Sequence, residues 1–194
     1  MEHWRYYIYG RVLEAFNRRE AAIAAYLAAL RLIPDFHRAA NRTAYLLASL
    51  ERYAEAEPYF VAVLRADPGN AAAHFNLGYT FDKRRQYAKA VEVFREATRL
   101  NPKLDRAWYG MGLSHAALGQ HEEAAKALHE AATLQPMNPH AWYQLGMAYH
   151  TLHNREKVNE VVMHLLRFDP KMTRRLILDA ERSDLAHLVK DLVV

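Results

Sequence analysis

The prolines of this chain fall on a ladder. Of seven prolines, five stand at Pro34, Pro68, Pro102, Pro136 and Pro170, each 34 residues from the next. A fixed period of that length marks a stack of small, similar units rather than one globular core. Other positions keep the same step. Gly10, Ala44, Gly78, Gly112 and Gly146 form a second ladder, and Ala22, Ala56, Ala90, Ala124 and Val158 a third. Tyr26, Phe60, Phe94, Leu128 and Val162 form a fourth, and Ala29, Val63, Ala97, Ala131 and Leu165 a fifth. Small residues at fixed places let two helices approach closely, and large apolar residues fill the gap that is left. Proline suits the end of the second helix, because it cannot continue a helix and disfavours helical backbone just before it.

Written out for one unit, the pattern is Trp108, Met111, Gly112 and His115, then Ala124, Leu128 and Ala131, then Pro136. The unit before it gives His74, Leu77, Gly78, Phe81, Ala90, Phe94, Ala97 and Pro102. This order resembles the tetratricopeptide repeat, whose signature is Trp-x2-Leu-Gly-x2-Tyr, then Ala-x3-Phe, then Pro. The resemblance spans residues 3–172 and divides them into units 3–36, 37–70, 71–104, 105–138 and 139–172. It implies an all-α, right-handed superhelical solenoid of five helix pairs, with residues 173–194 as a capping helical segment. Two units depart from the pattern. In unit two, Ala40, Thr43 and Ala44 replace the Trp, Leu and Gly, and Pro58 falls inside the second helix. Proline is accommodated in a first turn, so that helix is expected to start near Ala54 or Glu55. In unit five, Val158 and Leu165 replace small residues, and looser or differently angled packing is expected there.

Composition narrows the functional classes. The absence of cysteine excludes disulfides and cysteine-ligated metal sites. The first nine residues lack the apolar core of a signal peptide, and no run of 18 apolar residues occurs, so no membrane span and a cytoplasmic location are expected. The net charge is +4, and Arg18, Arg19, Arg52, Lys83, Arg84, Arg85, His121 and Arg155 gather at helix-to-helix turns. The helix dipole favours cations at such C-termini without any ligand, so nucleic acid along this basic edge is the lesser alternative.

No glycine-rich phosphate loop, zinc-protease helix motif or nucleophile elbow is present. Eleven histidines include His150 and His153 one turn apart and His121 and His129 two turns apart, but no carboxylate stands where it would complete a metal site. His74 and His115 occupy packing slots. The chain is therefore expected to be no enzyme, with no cofactor, no metal and no small-molecule substrate.

Trp108, Met111, Gly112 and His115 follow the i, i+3, i+4, i+7 rule and form the packing face of their helix. A second face, roughly 130° round the helix at 100° per residue, carries Arg106, Tyr109, Leu113 and Ala116. In the family that the chain resembles, this face lines a concave groove that binds extended or helical peptides. Carried through the units, it holds Trp4, Tyr7, Arg11 and Glu14; then Arg38, Asn41, Tyr45 and Ala48; then Ala72, Phe75, Tyr79 and Asp82, with Asn76 at the edge. Unit five supplies His140, Tyr143, Met147 and His150. The candidate site is thus Tyr7, Arg11, Arg38, Asn41, Tyr45, Phe75, Asn76, Tyr79, Arg106, Tyr109, His140 and Tyr143, aromatic with a few cations, which are typical hot-spot residues.

Relatives that hold the C-terminal carboxylate of chaperones use a five-residue polar clamp. Here Asn41, Tyr45 and Gly110 stand where Lys, Asn and Arg are wanted, and only Asn76 and the charge of Arg106 fit. A looser preference for acidic peptides through Arg11, Arg38 and Arg106 follows. The expected function is a non-catalytic scaffold or adaptor for a protein or peptide partner; the alternative is a targeting or regulatory module of a larger enzyme assembly. After Pro170, Leu185, Leu188, Val189 and Leu192 form an amphipathic pattern opened by Ser183 and Asp184. It is expected to cap the stack as a helix, the alternative being a dimer through that helix.

Overall fold

The computed structural model describes residues 1–190. Two compact units divide the chain, Met1–Leu100 and Asn101–Val194. The first holds α1 (Glu2–Ala15), α2 (Arg19–Leu32), α3 (His37–Ser49), α4 (Tyr53–Ala66), α5 (Ala71–Lys83) and α6 (Tyr87–Leu100). The second holds α7 (Asp105–Ala117), α8 (His121–Leu134), α9 (Pro139–Thr151), α10 (Arg155–Leu165), α11 (Pro170–Asp179) and a 3-10 helix, Ser183–Val189. No strand occurs among the described residues, so the fold is all-α.

Each helix pair closes on its ladder residues. A Cβ on Gly10 would come within 2.6 Å of the Tyr26 ring, one on Gly78 within 2.7 Å of Phe94, and one on Gly112 within 2.6 Å of Leu128. These large side chains are fully buried, and so are the small residues at Ala22, Ala56, Ala90 and Ala124. Close helix approach and dense filling are thus two sides of one repeat rule. The signature ring at the head of each later pair has a polar task as well. Trp108 Nε1 donates to Pro102 O and Trp142 Nε1 to Pro136 O, both at 2.9 Å, and His74 Nε2 meets Pro68 O at the same distance. The ring pins the turn whose proline ended the preceding helix.

The tight turns inside the pairs keep the 34-residue step where the residue types do not. Asn17, Glu51, Arg85, Gly119 and His153 all have positive φ, between 56° and 74°. Around the first, Asn17 N–H donates to Glu14 O and Arg18 N–H to Leu13 O, each at 2.9 Å. The same two bonds recur at each of the others. This left-handed cap satisfies the last carbonyls of the helix. Only the fourth turn uses glycine; a side chain in this conformation costs on the order of 1 kcal/mol.

Unit five departs from the rule in a way the sequence does not announce. Helices α2, α4, α6 and α8 end at Leu32, Ala66, Leu100 and Leu134, and one further step would place the end of α10 at Phe168. It stops at Leu165 instead. Pro170 does not trail this helix, as the ladder predicts, but opens α11: Asp169 caps it by accepting from Met172 N–H at 2.8 Å, and proline is well suited to a first helical position. Gly146 then meets Leu176 of α11, at 2.7 Å from its virtual Cβ, rather than the ladder residue of its own pair. The side chain at that ladder position is only Val162, and the longer Leu176 arrives from the following helix. α11 ends in the same left-handed cap as the first helices, with Glu181 at φ +52° and Arg182 N–H donating to Ile177 O at 2.8 Å. It is built like the first helix of a sixth pair whose second helix is replaced by the 3-10 turn. The amphipathic α-helix expected from Ser183 onward is therefore this 3-10 helix, and Leu192 lies outside the described residues.

The start expected for the second helix of unit two is corrected as well. α4 begins at Tyr53, so Pro58 is its sixth residue and lies beyond the first turn. Its ring is exposed, and the helix tolerates the missing N–H there.

Candidate functional site

In the first unit the candidate face runs across α1, α3 and α5. Arg11, Arg38, Asn41, Tyr45 and Tyr79 are exposed, while Phe75 and Asn76 are half-buried. The Arg38 guanidinium stands 5.5 Å from the Trp4 ring. Tyr79 is held from two sides, by the Tyr53 ring at 6.1 Å and by Lys83 Nζ at 5.2 Å. Burial, followed by the Tyr79 hydroxyl, pushes the Tyr53 phenol up to about 12. Phe75 rests on Phe94 at 6.0 Å and leans toward Tyr79 at 6.4 Å, so its outer edge continues the aromatic surface. Asp82 is half-buried on the same face.

Tyr7 does not belong to the open surface. It is buried, with its ring centroid 5.7 Å from Trp4, 5.6 Å from Tyr26 and 5.2 Å from Phe36. Phe36, in the turn between α2 and α3, folds back over α1 and turns this rung into core. Trp4 takes its place at the surface and packs on Phe36 at 4.9 Å.

The charge of the face is set by one network at its floor. Arg42 forms a bidentate pair with Glu14, with Nε donating to Oε2 at 3.0 Å and the second guanidinium N–H to Oε1. Tyr26 O–H donates to the same Oε2 at 2.8 Å. The Glu14 carboxylate is thereby committed inward, and burial followed by this hydrogen bond pushes the Tyr26 phenol above its ordinary range. The pair leaves Arg11 and Arg38 as exposed cations of the face. The basic edge is different. Arg52 is bridged to Glu20 and Glu55, and Arg84 to Glu57, so part of its charge is already neutralised.

In the second unit Arg106 and His140 are exposed and Tyr109 is half-buried, where burial pushes its phenol up. Tyr143 is engaged by the chain itself. Its hydroxyl donates to Asp179 Oδ2 at 2.6 Å, and the Arg175 guanidinium stands 4.9 Å from its ring. The Tyr143 bond, and then Arg175, hold the Asp179 carboxyl below the usual range. The histidines bring no metal set together: among the described residues no three His, Cys, Asp or Glu are grouped to hold an ion. His115 is buried with Nδ1 2.6 Å from Gln120 Oε1, and His153 serves as a left-handed cap.

The family pattern described as tetratricopeptide repeat matches residues 9–70 and 41–105, and a second pattern, described as TPR repeat, matches residues 114–152. The chain belongs to the tetratricopeptide repeat family. No curated protein matches it closely enough to count as a relative. Among solved structures, YrrB, described as a TPR protein with an unusual peptide-binding site, is 27% identical over 91% of this chain and 90% of its own, with a TM-score of 0.80. A MamA protein is 19% identical over 99% of this chain and 97% of its own, with a TM-score of 0.79. PilF of Pseudomonas aeruginosa is 17% identical over 95% and 87%, with a TM-score of 0.71. The last two likenesses concern the fold alone.

Set on this tetratricopeptide frame, several side chains join the face that the repeat phase does not single out. Arg42, Tyr53 and Lys83 reach it from neighbouring positions of α3, α4 and α5. Their long or aromatic side chains at the borders of the face are the only sequence signal for them. Among the described residues no helix is long and apolar enough to cross a membrane.

Proposed function

We propose that this tetratricopeptide protein is a non-catalytic scaffold that binds an acidic peptide segment of a protein partner on the face formed by α1, α3 and α5. The observation that carries the reading is the pairing of exposed aromatics with exposed cations while Glu14 is committed to Arg42 and Tyr26. Tyr45 and Tyr79 stay open although a large ring gains from burial, and Arg11 on α1 and Arg38 on α3 are exposed as well. Such a surface suits a peptide that brings carboxylates to the arginines and apolar side chains to the rings. The likeness to YrrB, whose description names a peptide-binding site, supports the same use of the fold. In the second unit, Arg106, Tyr109 and His140 form the corresponding surface, while Tyr143 is withdrawn from it by Asp179.

The test is fluorescence anisotropy with a labelled peptide of alternating acidic and aromatic residues, beside its lysine-substituted counterpart. The acidic peptide binds the full chain and weakens as salt rises, because exposed charges are screened. Arg38→Glu with Tyr79→Ala reduces affinity at least ~10-fold, the scale of a hot-spot loss. Equal binding of both peptides, or an unchanged affinity in the folded double variant, refutes the proposal.

A further inference from the structure

Within the first unit every first helix after α1 packs a defined stripe on the helix before it. On α3 this stripe includes Ala39, Thr43 and Leu46, and on α5 Ala73, Leu77 and Thr80, all buried. One repeat earlier, the same positions are Arg5, Tyr9 and Val12 of α1. They are open in this structure: Tyr9 is 58% exposed and Val12 47%, and Ile8 and Phe16 beside them are 58% and 75% exposed. Taking about 200 Å² for each large apolar side chain, Tyr6, Ile8, Tyr9, Val12 and Phe16 leave roughly 550 Å² of apolar surface open. That is the upper range for the largest patch on a monomer, commonly ~300–600 Å². The open rim of Met1, Glu2 and Arg5 brings it toward the ~800 Å² per partner of a standard interface.

We propose that this face pairs with the same face of a second copy, α1 against α1, antiparallel about a two-fold axis. The stripe is self-complementary. Arg5, Tyr9, Val12 and Phe16 follow one another at steps of four, three and four, so the spacing reads the same from either end. Laid antiparallel on itself, it sets Tyr9 against Val12 at the centre and Arg5 against the Phe16 ring outside them. Phe16 caps α1, so it stands at the end of the helix that an antiparallel partner would meet. Glu2, Arg5, Tyr6 and Tyr9 already line a shallow cavity of about 370 Å³ for the partner's side chains. An isologous contact of this kind needs one patch that answers itself, which an apolar centre with a cation at one end and a ring at the other supplies. In α11 and the 3-10 helix, Leu176, Ile177, Ala180 and Val189 are buried, while Leu178 is exposed.

Sedimentation equilibrium of the full chain from about 1 to 100 μM tests the proposal, a range that brackets micromolar association. The wild type sediments with twice the 22.4 kDa monomer mass as concentration rises. Tyr9→Glu with Val12→Glu raises the dimer dissociation constant at least ~100-fold, because it buries unpaired charge at the centre of the interface. Arg5→Glu alone weakens the dimer, since each chain then sets a carboxylate against the partner's Phe16 ring. A wild type that is monomeric at the highest concentration overturns the proposal. So does a dimer that survives the double substitution. Circular dichroism checks that the variants fold. The substituted residues lie off the peptide face, so loss of the dimer and loss of peptide binding are separate results.

Discussion

Leu176→Ala is the sharpest probe of how the last helix pair is held. In the earlier pairs the side chain that fills the gap above the ladder glycine comes from the second helix of the same pair: Tyr26 on Gly10, Phe94 on Gly78, Leu128 on Gly112. Gly146 is filled by Leu176, which lies beyond α10, on α11. Leu176 is fully buried and touches α9 directly at this glycine. Truncation therefore loses the transfer energy of a leucine and leaves a cavity against a backbone that offers no side chain to collapse into it. Leucine-to-alanine changes at buried sites cost about 2–5 kcal/mol, and we expect about 3 here. That corresponds to roughly a hundredfold faster exchange of protected amides, since ~1.4 kcal/mol is one power of ten. The assay is native-state hydrogen exchange read by mass spectrometry on peptides from each helix. It suits a repeat protein whose parts need not open together. Helices α9 and α11 should lose protection together, while α1–α6 are unchanged. A loss confined to α11 would show that α11 is a loose flap and that α9 is held by α8 and α10 without it. A total effect below about 1 kcal/mol would refute the packing argument itself.

Two further outcomes follow from the same geometry. The Asp179 and Asp184 carboxyls are held below their ordinary range, by the Tyr143 hydroxyl and by Arg182 respectively. A depressed carboxyl contributes stability above its unfolded pKa, ~3.9, and that contribution is lost as pH falls through the lower folded value. Exchange protection of α11 should thus fall as pH drops below about 4, and Asp179→Asn should flatten that dependence, while an identical acid profile in the variant would remove Asp179 from the account. At the left-handed caps, Glu51→Gly and Arg85→Gly should each stabilise the first unit by about 1 kcal/mol in urea denaturation, and Gly119→Ala should cost the second unit about as much. Stability unchanged in all three would mean that these turns carry no conformational strain.

The fold was legible wherever identical physical demands produce similar residues. Two helices that cross closely need a small residue and a large one at a fixed separation, so Gly78 with Phe94 and Gly112 with Leu128 announce their contact in the sequence. The turns were not legible in this way. A left-handed residue is required at 17, 51, 85, 119 and 153, but the requirement is only about 1 kcal/mol strong, and Asn, Glu, Arg, Gly and His all meet it. A demand that weak leaves position without identity. Pro170 misled for the opposite reason. Proline suits the space after a helix and the first residue of one equally well, and what decides is Asp169 ahead of it, whose carboxylate caps α11.

The candidate site shows how far repeat phase alone reaches. Phase assigns Arg38, Tyr45, Phe75 and Tyr79 to one expected face, because the angle between faces is fixed by helical geometry. It could not tell surface from interior at Tyr7, since that depends on Phe36, a turn residue outside the phase. Nor could it find the Asp179 contact of Tyr143, which joins residues 36 apart through a helix that does not keep the step. These exceptions share a cause. Phase describes what each pair does to its neighbour when every pair is the same, and around α1 and α11 the packing differs from that of the other pairs. After α10 the chain adds α11, which buries Leu176 and Ile177. On α1, Tyr9 and Val12 are exposed where later units present buried residues. α1 and α11 thus differ in what covers them, and the open apolar face of α1 is where association should be sought.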